Sequence, residues 1–141
     1  MAKRSEFFKT PTLSFARQRW RMSIVHPNFA AKGTRRVVSW TGLLQPSALS
    51  EIYKVKIDYT LRERPKVLVL QPELRRLDSN AKIPHTFRDG SLCLHGRGQW
   101  TPDMFIAETI VPWLSLCLLH YEFWHATGVW QGGGHKPEEG A

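Results

Sequence analysis

Apolar and polar residues alternate most regularly over residues 53–59, with Tyr53, Val55, Ile57 and Tyr59 on one face and Lys54, Lys56 and Asp58 on the other. Period-two patterning of this kind predicts a half-buried β-strand. Residues 36–44, with Val37-Val38-Ser39-Trp40-Thr41 at their centre, predict a strand turned by Gln45-Pro46. Residues 66–70, between Pro65 and Gln71-Pro72, predict a third, and three strands on short connections imply an antiparallel meander. Ahead of them Leu13, Ala16, Trp20 and Ile24 fall on one helical face beside Arg17 and Arg21. Thr10 as N-cap and Pro11 at the first position would start this helix, and His26-Pro27-Asn28 would end it. Trp20, Met22 and Ile24 also alternate, so strand is the rival reading; helix is preferred. A second helix is predicted over 102–124, with Phe105, Ile106, Thr109, Ile110, Trp113, Leu116, Cys117, His120, Tyr121 and Trp124 on a broad apolar face. Pro112 is expected to bend or break it. Between strands and helix, residues 73–100 show no strong period and carry Pro84, Gly90, Gly96 and Gly98. A loop that long in a compact chain is usually functional or disordered. Gly128 and then Gly132-Gly133-Gly134 are expected to end the ordered part.

Composition narrows the class. The 141 residues suffice for one domain and are too few for two ordinary ones, and 42% hydrophobic content with six Trp supports a real core. A single domain over 1–141 is expected, with 1–9 and 132–141 flexible. All of the +8 net charge arises within residues 1–36, which hold nine Lys/Arg against Glu6 alone; the rest balances at eleven each. A basic N-terminal helix on a neutral body suggests an acidic partner, and Arg17, Arg19 and Arg21 are candidates to dock one, although a solvated basic helix reads equally well. No nucleic-acid motif accompanies the basicity, so nucleic acid is not the expected partner. The basic start lacks an apolar stretch of signal-peptide length, and the longest apolar segment, 104–119, is interrupted by Glu108 and Pro112. No membrane association and a reducing cytoplasm are therefore expected. Six His and two Cys show no zinc-ligand spacing, so neither metal nor cofactor is expected.

The chemistry-bearing stretch is Asp89-Gly90-Ser91-Leu92-Cys93-Leu94-His95, closed by Gln99-Trp100-Thr101-Pro102. It places a thiol on a glycine-turned loop between two leucines. Free cysteine is commonly a small buried hydrophobe, and Cys117, mid-helix among leucines, is assigned to the core. A working thiol instead needs help, because at a pKa of ~8.5 only a few per cent is thiolate at neutral pH. His85 and His95 are the candidates, as proton acceptor or nearby positive charge. On an extended loop the side chains of Cys93 and His95 point the same way.

The order of these elements resembles the ubiquitin-conjugating fold, an α+β architecture of N-terminal helix, antiparallel meander, active-site loop and C-terminal helices. Trp40-x-Gly42-x-Leu44-x-Pro46 is similar to that family's first strand and turn, and Arg64-Pro65-Lys66-Val67 to the end of its proline-rich Lys-Pro-Pro-Lys-Val turn. Ile83-Pro84-His85 lies where His-Pro-Asn is expected, eight positions before Cys93, and Trp100-Thr101-Pro102 follows as Trp-Ser-Pro does in the family. His26-Pro27-Asn28 spells the same tripeptide but precedes Cys93 by 65 positions, which excludes it. The departures, His85 for asparagine and His95 for the usual aspartate, join Ile110-Val111-Pro112-Trp113 and Tyr121-Glu122-x-Trp124 through Gly132-Gly133-Gly134-His135 in resembling the bacterial conjugating-enzyme-like proteins of anti-phage CBASS operons. The resemblance implies a thioester on Cys93 formed with a partner's C-terminus. That partner would be the operon's cyclic-oligonucleotide synthase (CD-NTase) or, in the conventional reading, a ubiquitin-like protein. His85 would then give the hydrogen bond to the developing oxyanion that the family's asparagine is associated with. A non-catalytic variant that docks a partner and keeps Cys93 for packing is the competing reading.

Overall fold

The computed structural model describes residues 11–79 and 81–132. Helix α1 (Phe15–Val25) is followed by strands β1 (Ala30–Gly33), β2 (Val37–Leu44), β3 (Tyr53–Thr60) and β4 (Lys66–Gln71). A 3-10 turn (Ile106–Glu108) then leads into helix α2 (Ile110–Thr127), giving an α+β architecture. The sheet is a meander in sequence order, antiparallel throughout.

The period-two reading of β3 is borne out: Tyr53, Val55, Ile57 and Tyr59 are fully buried. Val38 and Trp40 of β2 and Val67 of β4 join them, and Ile110, Leu114 and Leu118 of α2 close the same core. Gly42 is required by close approach rather than by backbone freedom. A Cβ there would lie 2.3 Å from the buried Phe29 ring. β1 is a fourth strand that the pattern did not predict; its Ala-Ala-Lys-Gly run is mostly exposed and is recruited by pairing Ala30–Gly33 against Thr41–Val38 of β2.

Both helices differ from the pattern in informative ways. Thr10 lies outside the described residues, and α1 is capped instead by Ser14, whose Oγ accepts from the Arg17 N–H. His26 ends the helix as expected, donating its backbone N–H to the Met22 carbonyl. The expected apolar face is corrected: Ala16, Trp20 and Ile24 are exposed, and α1 buries Gln18 and Met22. The Gln18 amide donates to the Met104 carbonyl at 2.8 Å and accepts the Ile106 N–H at 3.0 Å, so a polar residue is buried with its partners satisfied. The predicted helix over 102–124 begins only at Ile110, which puts Pro112 at its third position. There its missing N–H has no intrahelical partner to lose, and the helix runs on unbroken. Gly128, in the left-handed region at φ 79°, closes it.

α2 is anchored at its far end by Glu122. This carboxylate accepts from Ser50 Oγ at 2.7 Å, Tyr53 Oη at 2.8 Å and the Glu51 N–H at 3.3 Å. Burial, reinforced by the hydrogen bond and negative charge of Glu122, pushes the Tyr53 hydroxyl's pKa upward. No helix among the described residues is long and apolar enough to cross a membrane.

Candidate active site

The long segment before Cys93 contains a short hairpin. Thr86 bridges Leu92, the Phe87 N–H donates to the Ser91 carbonyl at 2.8 Å, and Gly90 turns at φ 87°. Asp89 accepts from the Ser91 backbone N–H at 2.9 Å and from its hydroxyl. These bonds, with Lys66 at 3.0 Å, hold the Asp89 carboxyl down at about 2. Three links clip the hairpin to the start of β4: the Lys66–Asp89 ion pair, the Leu92 N–H to the Val67 carbonyl at 2.9 Å, and the Arg64 guanidinium 4.4 Å over the Phe87 ring. On its other side Trp100 is buried, with Nε1 donating to Thr109 Oγ1 at 3.1 Å and its ring edge-on to Tyr59. The Trp-Thr-Pro segment thus fixes the cysteine loop to the core and to the N-terminus of α2.

Cys93, His85 and His95 are brought together on one cavity of about 540 Å³. Its far wall is a second stripe of α2, Trp113, Leu116, Cys117 and His120, and Trp130 closes one end. His85 is held at φ 58°, a region that His tolerates better than most side chains. Its carbonyl accepts the Cys93 N–H at 2.7 Å, and its ring lies 4.9 Å from that of Trp130. The His95 ring lies 5.7 Å from Trp113, and its Nδ1 is 2.9 Å from the Gly96 carbonyl. A carbonyl only accepts, so in this contact the ring donates through Nδ1. The thiol itself is 3.5 Å from the His95 backbone carbonyl.

Cys93 is only 5% exposed, although it lines the open cavity. Burial raises its pKa, and the positive charge of Arg64 opposes that rise. The nearby cation is therefore an arginine that sequence reasoning read only as part of a turn motif. Cys117, expected in the core, packs against the core's edge and also lines the cavity; burial pushes its thiol up to about 12. Trp130 and His120, the latter placed from sequence on the apolar face of the helix, also line the cavity. Their ring centroids are 5.9 Å apart, and Gly132 lies so close to His120 that a Cβ would approach the imidazole to 2.5 Å. Gly132, expected at the start of a flexible end, is thus packed; Gly133, Gly134 and His135 lie outside the described residues. A repeat at Trp113, Cys117 and His120, three and four apart on α2, was the signal that would have found this wall.

The three arginines of α1 lie elsewhere and are not equivalent. Arg21 pairs with Glu108 and lies against the Phe105 ring, tying α1 to the 3-10 turn. Arg17 and Arg19 are exposed and make no ion pair among the described residues. Among the described residues no group of three ligating side chains is arranged to hold a metal ion.

The class so defined is an α+β protein that presents a cysteine from a hairpin at the wall of an aromatic cavity. The chain belongs to the family of Type II CBASS E2 proteins, whose family model matches residues 18–137. The family's name indicates an E2-like role in CBASS defence. No curated protein matches the chain.

Proposed function

We propose that the protein is a thioester carrier in which Cys93 accepts the C-terminal acyl group of a partner. The partner is the CD-NTase of a short type II CBASS operon, which the linkage regulates. The observation that carries this reading is the convergence of Cys93, His85 and His95 on one cavity large enough for the end of a peptide. In the proposed reaction the partner's C-terminus arrives activated as an acyl phosphate or a thioester, since a free carboxylate does not acylate a thiol in water. Cys93 Sγ bonds to its carbonyl carbon, the bond from that carbon to the activating oxygen or sulfur breaks, and the activating group departs with the electron pair. His95, which lines the same cavity, takes up the thiol proton. His85, fixed by Trp130 and by its carbonyl bond to Cys93, donates to the developing oxyanion; such a donor is worth ~2.7–4 kcal/mol in other enzymes.

The test is the intact mass of this protein mixed with its operon's synthase, with and without thiol reductant, for wild type and Cys93→Ser. A reductant-labile adduct on wild type, replaced by a stable ester in the serine variant, is the expected outcome. Two proteins that bind without any adduct would favour the non-catalytic docking module. One observation speaks for that second reading: a thiol 5% exposed, with burial raising its pKa, is not a strongly activated nucleophile at rest.

A further inference from the structure

The histidines are not the only groups placed to stabilise negative charge on Cys93. Arg64, Phe87 and Cys93 line one small cleft that adjoins the main cavity from the β4 side. Arg64 is exposed to solvent, yet its guanidinium is located by stacking on Phe87 at 4.4 Å. Its backbone is located as well, because buried Pro65 follows and Lys66 and Val67 are clipped to Asp89 and Leu92. An arginine located in this way holds its charge in the cleft that Cys93 also lines.

We propose that Arg64 is the charge-positioning residue of the site, supporting the Cys93 thiolate both as nucleophile and as leaving group. The second role rests on the carrier function above. When an amine takes the acyl group, its nitrogen bonds to the carbonyl carbon and the carbon–sulfur bond breaks. The electron pair returns to Sγ, and the amine's proton passes to solvent base. Arg64 opposes the charge that this leaves on sulfur.

Alkylation of Cys93 by iodoacetamide tests the first role without any partner. Its rate across pH is read by mass on the Cys93 peptide, so that Cys117 does not contribute. His85, His95, Cys117 and His120 also face the cavity, and they are common to wild type and variants. Arg64→Gln is expected to move the midpoint upward and slow alkylation at pH 8 by about three- to tenfold, a tenfold change in thiolate corresponding to one pKa unit. Arg64→Lys should restore most of it. An Arg64→Gln midpoint equal to wild type, or an Arg64→Lys shift as large, with thermal unfolding unchanged, overturns the proposal. If the midpoint shifts while no adduct forms with the synthase, Arg64's role stands and the carrier function fails. If an unshifted Arg64→Gln protein forms the adduct at the wild-type rate, the carrier function stands and Arg64's role fails.

Discussion

His85 separates what a backbone does from what a ring does. Its φ of 58° and its carbonyl bond to Cys93 are backbone properties that glycine can supply; its ring is not. His85→Gly is expected to fold and to leave Cys93 alkylation near wild type, yet to slow acyl transfer by about 10²–10³-fold, the loss associated with one oxyanion donor. Transfer at the wild-type rate, followed by single-turnover loss of the thioester, would reduce His85 to a loop residue. His85→Ala adds strain at positive φ, about 1–2 kcal/mol, so its melting temperature should fall below that of His85→Gly. Asp89 carries a pH dependence. Its pKa is depressed to about 2, so its stabilisation of the hairpin is present above the unfolded carboxyl's value of ~4 and is lost as pH falls toward 2. The stability difference between wild type and Asp89→Asn, from urea unfolding, should therefore be present at pH 6 and shrink toward zero at pH 2.5. A constant difference would place the effect elsewhere. The cysteine and both histidines were legible because they stand within a few residues of one another in a motif-bearing stretch. Arg64, His120 and Trp130 were not, because the β3–β4 connection, α2 and the segment after α2 bring them in from 29, 27 and 37 positions away from Cys93.

At the scale of elements, legibility followed the local pattern. β3 announced itself because one whole face enters the core. β1 did not, because its four residues are held by hydrogen bonds to β2 and not by burial. α1 misled because a buried amide, Gln18, replaced an apolar side chain at the interface, and its partners lie 86 and 88 positions away. Trp20 and Ile24 then remained as an apolar stripe facing outward. The role of Gly42 was legible as motif but not as cause: it makes room for Phe29, which enters from the turn before β1. Gly42→Ala is accordingly expected to cost about 1–3 kcal/mol by overpacking, measured by urea unfolding. Adding Phe29→Ala should cost less than the sum of the two single changes, since the clash is then removed. Additive costs would show that the ring is not what excludes a side chain at this position.

The whole molecule divides its charge and its chemistry. The excess positive charge lies within residues 1–36, whereas the cysteine cavity is built from the hairpin, α2 and the strap that follows. α1 is tied to the body by Gln18 and by the Arg21–Glu108 pair, leaving Arg17, Arg19 and Trp20 outward. This arrangement separates docking from folding in a way two variants can read. Arg17→Glu/Arg19→Glu should unfold with the wild-type midpoint, because neither side chain makes an ion pair among the described residues. If the helix docks an acidic partner, association with the synthase should slow by about tenfold or more at low salt, and the gap should narrow as salt screens both proteins. Arg21→Ala should do the opposite. Its exposed pair is worth about 0–1 kcal/mol, so the melting temperature falls slightly while the association rate changes less. Should the double glutamate variant associate at the wild-type rate in low salt, α1 is a solvated basic helix, and partner recognition must reside at the cavity itself. In that case Trp130→Ala, which removes the ring beside His85 and His120, becomes the substitution that weakens binding.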